Sequence, residues 1–120
     1  MSTVAILGAS NNPDRYSHKA QLLLNEYGHT PLPVSLHDEQ VLGMPAVRRL
    51  SDITDEVDTL TVYINPRHLR EVAAQIEALK PRRVIFNPGS EDPATMERLR
   101  ARGIEVEEAC TLVLLRTDQF

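Results

Sequence analysis

Apolar positions in this chain come in short runs, and each run breaks at a turn. Val4-Ala5-Ile6-Leu7 is continuously apolar, as in a parallel strand covered on both faces, and it ends at Gly8-Ala9-Ser10. Thr59 to Ile64 is rich in β-branched residues and ends at Asn65-Pro66, and Arg83 to Phe86 ends at Asn87-Pro88-Gly89. Each run is followed by helical periodicity. Ala20, Leu23, Leu24 and Tyr27 recur at helical spacing, with Gly28 where a C-terminal cap belongs. Leu69, Val72, Ala73, Ile76 and Leu79 form a single stripe, with Asn65 as N-cap, Pro66 in the first turn and Pro81 as the stop. Arg67 and Glu71 are spaced to pair on its outer side.

The remaining segments are less regular. Leu32 to Leu36 predicts a short strand that starts late or is irregular, because Pro31 and Pro33 cannot donate ladder hydrogen bonds. Residues 37 to 58 are the least periodic, with a tight turn over Val41 to Pro45 and a helical turn over Arg48 to Ile53. Asp92 and Pro93 open another helix that turns Met96 and Leu99 inward and ends at Gly103. Ile104 and Val106 alternate with Glu105 and Glu107, the pattern of an edge strand with one wet face. Leu112 to Leu115 is too short to assign. Strands alternating with helices predict one three-layer α/β domain over residues 1–120, with a mainly parallel sheet of about five strands.

Length limits the chain to one compact core. No apolar run approaches a membrane span and no secretory leader pattern opens the sequence, so the expectation is a cytoplasmic protein with no membrane association. A net charge of −4 argues against broad nucleic-acid binding, although a small anionic ligand needs only helix N-termini and one or two Arg side chains. Cys110 is the only cysteine, and the four histidines show no metal-binding spacing, so no metal site is expected.

In an open parallel sheet, ligands bind beyond the carboxyl ends of the strands, where the distinctive turns of this sequence fall. Against the dinucleotide pattern G-x-G-x-x-G, only Gly8 survives, with Ser10 and Pro13 in the other glycine places. Ser10 offers a hydroxyl and an N–H to a phosphate, and Arg15 suits phosphate oxygens; the bland alternative is a plain strand-to-helix turn. Ser17 could cap the first helix or touch a ligand, and His37 could be a surface residue. Asn65 and Asn87 stand in equivalent places after two strands, either as caps or as the walls of a shared crevice, and Gly89 allows close backbone approach. No acidic residue ends the second strand to hold an adenosine ribose; Asp38 lies beyond it. Cys110 follows Glu107-Glu108, whose charges raise a thiol pKa, whereas a helix starting at Thr111 would act the other way.

VAILGASNNPDRYSHKA, PLPVSLHDEQVLGMPAV, VYINP, VIFNPGSEDP and EVEEACTLVLL occur in an order and spacing that resemble the small stand-alone CoA-binding proteins. Their domain is similar to the N-terminal Rossmann-like domain of succinyl-CoA synthetase. The resemblance covers nearly the whole chain and implies a coenzyme A or acyl-CoA site at the carboxyl edge. It sets the pyrophosphate against Gly8, Ala9 and Ser10 near Arg15 and Ser17, and the adenosine near Val34, Ser35 and His37. Asn65, Pro66, Asn87, Pro88 and Gly89 would line the crevice. His37 stands at or near a place where the family often has Lys or Arg, which suit the 3′-phosphate of CoA. The chain has no room for the phosphorylatable-histidine and ATP-grasp domains of a complete acyl-CoA synthetase.

The expected function is therefore CoA or acyl-CoA binding without catalysis of its own. Two alternatives stay open. One is a thiol or acyl-transfer enzyme using Cys110; the other is a nucleotide-sensing module that associates with itself through the LVLL segment or with another protein.

Overall fold

The computed structural model describes residues 2–120. Its sheet has five parallel strands in the order β2-β1-β5-β6-β7, formed by Thr30–Val34, Thr3–Leu7, Thr59–Val62, Arg83–Phe86 and Glu105–Glu108. A small antiparallel hairpin, β3 (Gln40–Val41) and β4 (Met44–Pro45), lies outside it. The helices are α1 (Tyr16–Glu26), α2 (Pro66–Leu79), α3 (Pro93–Ala101) and α4 (Thr111–Arg116), with a 3-10 turn at Leu50–Asp52.

The sheet divides the core into two layers. Ala5, Leu7, Leu60, Val62, Val84 and Phe86 pack on Leu69 and Ile76 of α2 and on Met96 and Leu99 of α3. On the other face Val4 and Ile6 meet Leu24 of α1, Leu115 of α4 and Val41 of the hairpin. A three-layer domain follows from this, because every central strand buries both faces.

The second strand starts earlier than its prolines predict. Pro31 and Pro33 pair in register with Val4 and Ile6, yet the strand is at the sheet edge. The Val34 carbonyl points toward β1, where it accepts the Gly8 N–H at 3.2 Å, whereas the Pro33 carbonyl points outward to the Val47 N–H at 3.1 Å. Proline therefore occupies outward-facing positions, where its missing N–H costs no ladder bond.

The α2 start follows its sequence: the Asn65 side chain accepts the His68 N–H at 3.1 Å, and Pro66 sits in the first turn. Asp92 caps α3 in the same way through the Thr95 N–H. Arg67 and Glu71 make no ion pair among the described residues, while Arg70 on the same helix reaches the Asp92 cap of α3 at 3.2 Å. In α1 the inward face is more polar than the apolar spacing predicts. Ser17, His18 and Gln21 are buried beside Ala20 and Leu24, whereas Tyr27 is exposed. The unassigned C-terminal run is α4, and its Leu112 and Leu115 are buried in this chain's own fold.

Candidate functional site

Leaving β1, the chain first builds β2 on one side and then returns to build β5 on the other. In open parallel sheets a ligand crevice lies at such a reversal, outside the carboxyl ends of the strands, here β1 and β5. Gly8 forms its floor with φ +94°, and a Cβ added there would stand 3.1 Å from both the Tyr63 carbonyl oxygen and Ile64 Cγ2. Only glycine lets the end of β1 lie this close to the β5–α2 loop.

The hydrogen bonds of the β1–α1 loop decide which of its groups face outward unpaired. Gly8 and Ala9 both donate their N–H to the Val34 carbonyl, at 3.2 and 3.1 Å. The Ser10 hydroxyl accepts the Asn12 N–H at 3.0 Å, and the Ser10 carbonyl accepts from His18 Nδ1 at 2.9 Å. The Ser10 and Asn11 amides, and those of Tyr16 and Ser17 in the first turn of α1, have no protein acceptor among the described residues. Arg15 is the N-cap residue, with an exposed side chain that makes no capping bond. Unpaired amides at a helix start beside a guanidinium are a chemistry suited to phosphate oxygens.

Ser35 is buried at the end of β2, and its hydroxyl accepts the His37 and Asp38 amides, at 3.4 and 3.2 Å. His37 is exposed on the turn so formed. Asn65 and Pro66 start α2 after β5. Pro88 and Gly89 are exposed after β6, where the Gly89 N–H already donates to the Glu91 carboxylate at 2.8 Å.

Asn87 differs from Asn65 despite the shared Asn-Pro sequence. It is only 2% exposed; its Nδ2 donates to Thr61 Oγ1 at 2.7 Å and to the Val62 carbonyl at 2.9 Å, and its Oδ1 accepts the Thr111 N–H at 2.9 Å. The Thr61 and Thr111 hydroxyls bond each other at 2.8 Å. Asn87 is thus a buried staple between β5 and the start of α4. The Tyr63 hydroxyl is buried beside this cluster, and burial pushes its pKa up to about 12, with Thr111 and Thr61 pulling the other way. Cys110 is half-buried immediately before α4.

The carboxyl edge is an open shelf. Two concavities of the surface lie elsewhere, one lined by Asp58, Lys80 and Arg82 and one by Leu50, Ile53 and Leu79. Among the described residues no group of His, Cys, Asp and Glu is arranged to hold a metal ion, and no helix is long and apolar enough to cross a membrane. Sequence patterning missed Asn11, His18 and Tyr63, whose roles rest on contacts across different elements that no local period encodes.

Residues 2–116 match the sequence profile of the CoA binding domain. The chain belongs to the CoA binding domain family. Within solved structures, this CoA binding domain superposes on an uncharacterized protein with a TM-score of 0.95 and 39% identity, covering 100% of this chain and 98% of that one. It is 31% identical over 72 residues to the uncharacterized protein YneT of Bacillus subtilis, covering 60% of this chain and 53% of YneT. It is 29% identical over 69 residues to the alpha subunit of an ADP-forming acetate–CoA ligase II of Pyrococcus furiosus, covering 57% of this chain and 15% of that subunit. The matched segment therefore spans about half of one curated relative and a small part of the other.

Proposed function

We propose that this CoA binding domain holds coenzyme A or an acyl-CoA on the shelf at the carboxyl edge, without catalysing a reaction alone. The observation that carries this reading is the set of unpaired amides at Ser10, Asn11, Tyr16 and Ser17 beside Arg15, in a chain whose family is defined by CoA binding. The pyrophosphate would lie against these groups, with Gly8 and Ala9 shaping the floor. The adenosine would sit by Val34, Ser35 and His37. Asn65 and Pro66 would form the opposite wall, with Pro88 and Gly89 further along it, while Asn87 would support that wall from beneath. The ligase alpha subunit among the relatives favours a second reading, in which the domain binds its ligand as part of a larger assembly.

Calorimetric titration of the ligand-free protein with CoA, NAD, NADP and ATP tests the reading. Tighter binding of CoA than of the other three is the expected result. Binding of NAD or NADP in preference to CoA, or of none of them, overturns it. Fast alkylation of Cys110 at neutral pH, blocked by CoA, would replace the non-catalytic reading with the thiol-chemistry one.

A further inference from the structure

Asn11 belongs to the β1–α1 loop, but its side chain makes its hydrogen bonds to the hairpin. Its Nδ2 donates to the Gln40 carbonyl at 2.8 Å, and its Oδ1 accepts the Leu42 N–H at 3.0 Å. One carboxamide therefore joins β3 and the first residue of the hairpin turn to the loop that carries the Ser10 and Asn11 amides. The turn it holds is unusual in sequence. Leu42 and Gly43 have φ of 51° and 74°, the paired left-handed conformations of a two-residue hairpin, and the first place normally selects Asn, Asp or Gly. A bond to Leu42's own N–H fixes that residue in a conformation its side chain disfavours.

The hairpin is in turn a firm anchor. Gln21 on α1 donates from Nε2 to the Val41 carbonyl at 3.1 Å, and Val41 is fully buried against the α1 side of the sheet. The loop lacks comparable support of its own. Residues 11–15 are exposed, and beyond Ala9, apart from its internal turns, the loop is held by His18 at Ser10 and by Asn11 at the hairpin.

We infer that Asn11 is a positioning residue for the ligand: it clamps the Ser10–Asn12 backbone to the hairpin so that its amides are already ordered, and it transmits occupancy of the loop to the hairpin. The inference rests on the reading that CoA occupies this loop. Ordering a loop only on binding subtracts from affinity, so a clamp present beforehand makes binding tighter. The same bonds work in reverse. A ligand that holds the loop still holds the Leu42 amide still as well.

The experiment pairs CoA calorimetry with residue-resolved amide hydrogen exchange on the whole chain, for wild type, Asn11→Ala and Gln21→Met. In wild type, CoA slows exchange of the Leu42 amide. Asn11→Ala binds CoA about tenfold more weakly, the scale of one loop ordered at the moment of binding, and its Leu42 exchange no longer responds to CoA. Gln21→Met removes one hydrogen bond between α1 and the hairpin but leaves Val41 buried and both Asn11 bonds in place, so its CoA affinity stays within about twofold of wild type. Wild-type affinity in Asn11→Ala, or a Leu42 amide in wild type that ignores bound CoA, overturns the inference and leaves the CoA reading standing. Absence of CoA binding in wild type overturns both.

Discussion

Gly8 lies against Tyr63 so closely that any side chain at position 8 would meet the Tyr63 carbonyl oxygen at 3.1 Å. This contact joins the ends of the two strands between which the sheet reverses its order, so it sets the floor of the crevice. Gly8→Ala adds a methyl group where φ is +94° and where Ile64 Cγ2 and the Tyr63 carbonyl oxygen stand 3.1 Å away. We expect a loss of about 1–3 kcal/mol in chemical denaturation. Unchanged stability would show that the two loops separate at little cost.

Arg15 tests the anionic part of the shelf. Its side chain caps no helix and is exposed, so Arg15→Ala is expected to leave the melting temperature close to wild type. CoA affinity is expected to fall about tenfold or more, with a shallower dependence on salt, as when a charged hydrogen bond to phosphate is lost. Arg15→Lys retains the charge without the planar fork and falls between the two. Equal calorimetric affinity in all three proteins would remove Arg15 from the site.

Asn87 carries a prediction of the opposite kind. Truncation to Ala leaves the buried Thr111 N–H and Val62 carbonyl each without their side-chain partner. Urea denaturation is expected to show a loss of about 2–4 kcal/mol, the cost of abandoning more than one buried polar group. A loss near zero would mean that water enters to replace the carboxamide.

Tyr63 gives a pH dependence. Its pKa in the folded chain is raised by burial from 10.0 to about 12, so the folded state keeps a proton that the unfolded chain releases. Stability from this source is complete below pH 10.0 and is lost as pH rises toward 12. Difference absorbance titration of wild type against Tyr63→Phe should place the Tyr63 phenolate near pH 12. A Tyr63 component ionising near 10 would show that the hydroxyl is open to water.

Much of the architecture is legible in the amino-acid order because it rests on local rules. Val4 to Leu7 is apolar at every position and proves to be a central strand. Asn65-Pro66 and Asp92-Pro93 are helix starts whose side chains satisfy amides three residues away, well within the reach of a local pattern. The prolines of the second strand misled for a physical reason. Whether a missing N–H matters depends on which side of the strand has a neighbour, and that is a property of the sheet.

The site divides along the same line. Sequence alone determined the family, the starts of α2 and α3 and the turns at the carboxyl edge, since these depend on residues adjacent in the chain. Only the tertiary structure separated Asn65 from Asn87, two residues with the same following proline. One is an exposed cap, while the other is buried between β5 and α4 because Thr61 and Thr111, distant in sequence, converge on it. The tertiary structure also decided that Val34 occupies the Gly8 and Ala9 amides, leaving those of Ser10 and Asn11 free. A residue's type sets what bonds it can make; the fold decides which partners reach it first.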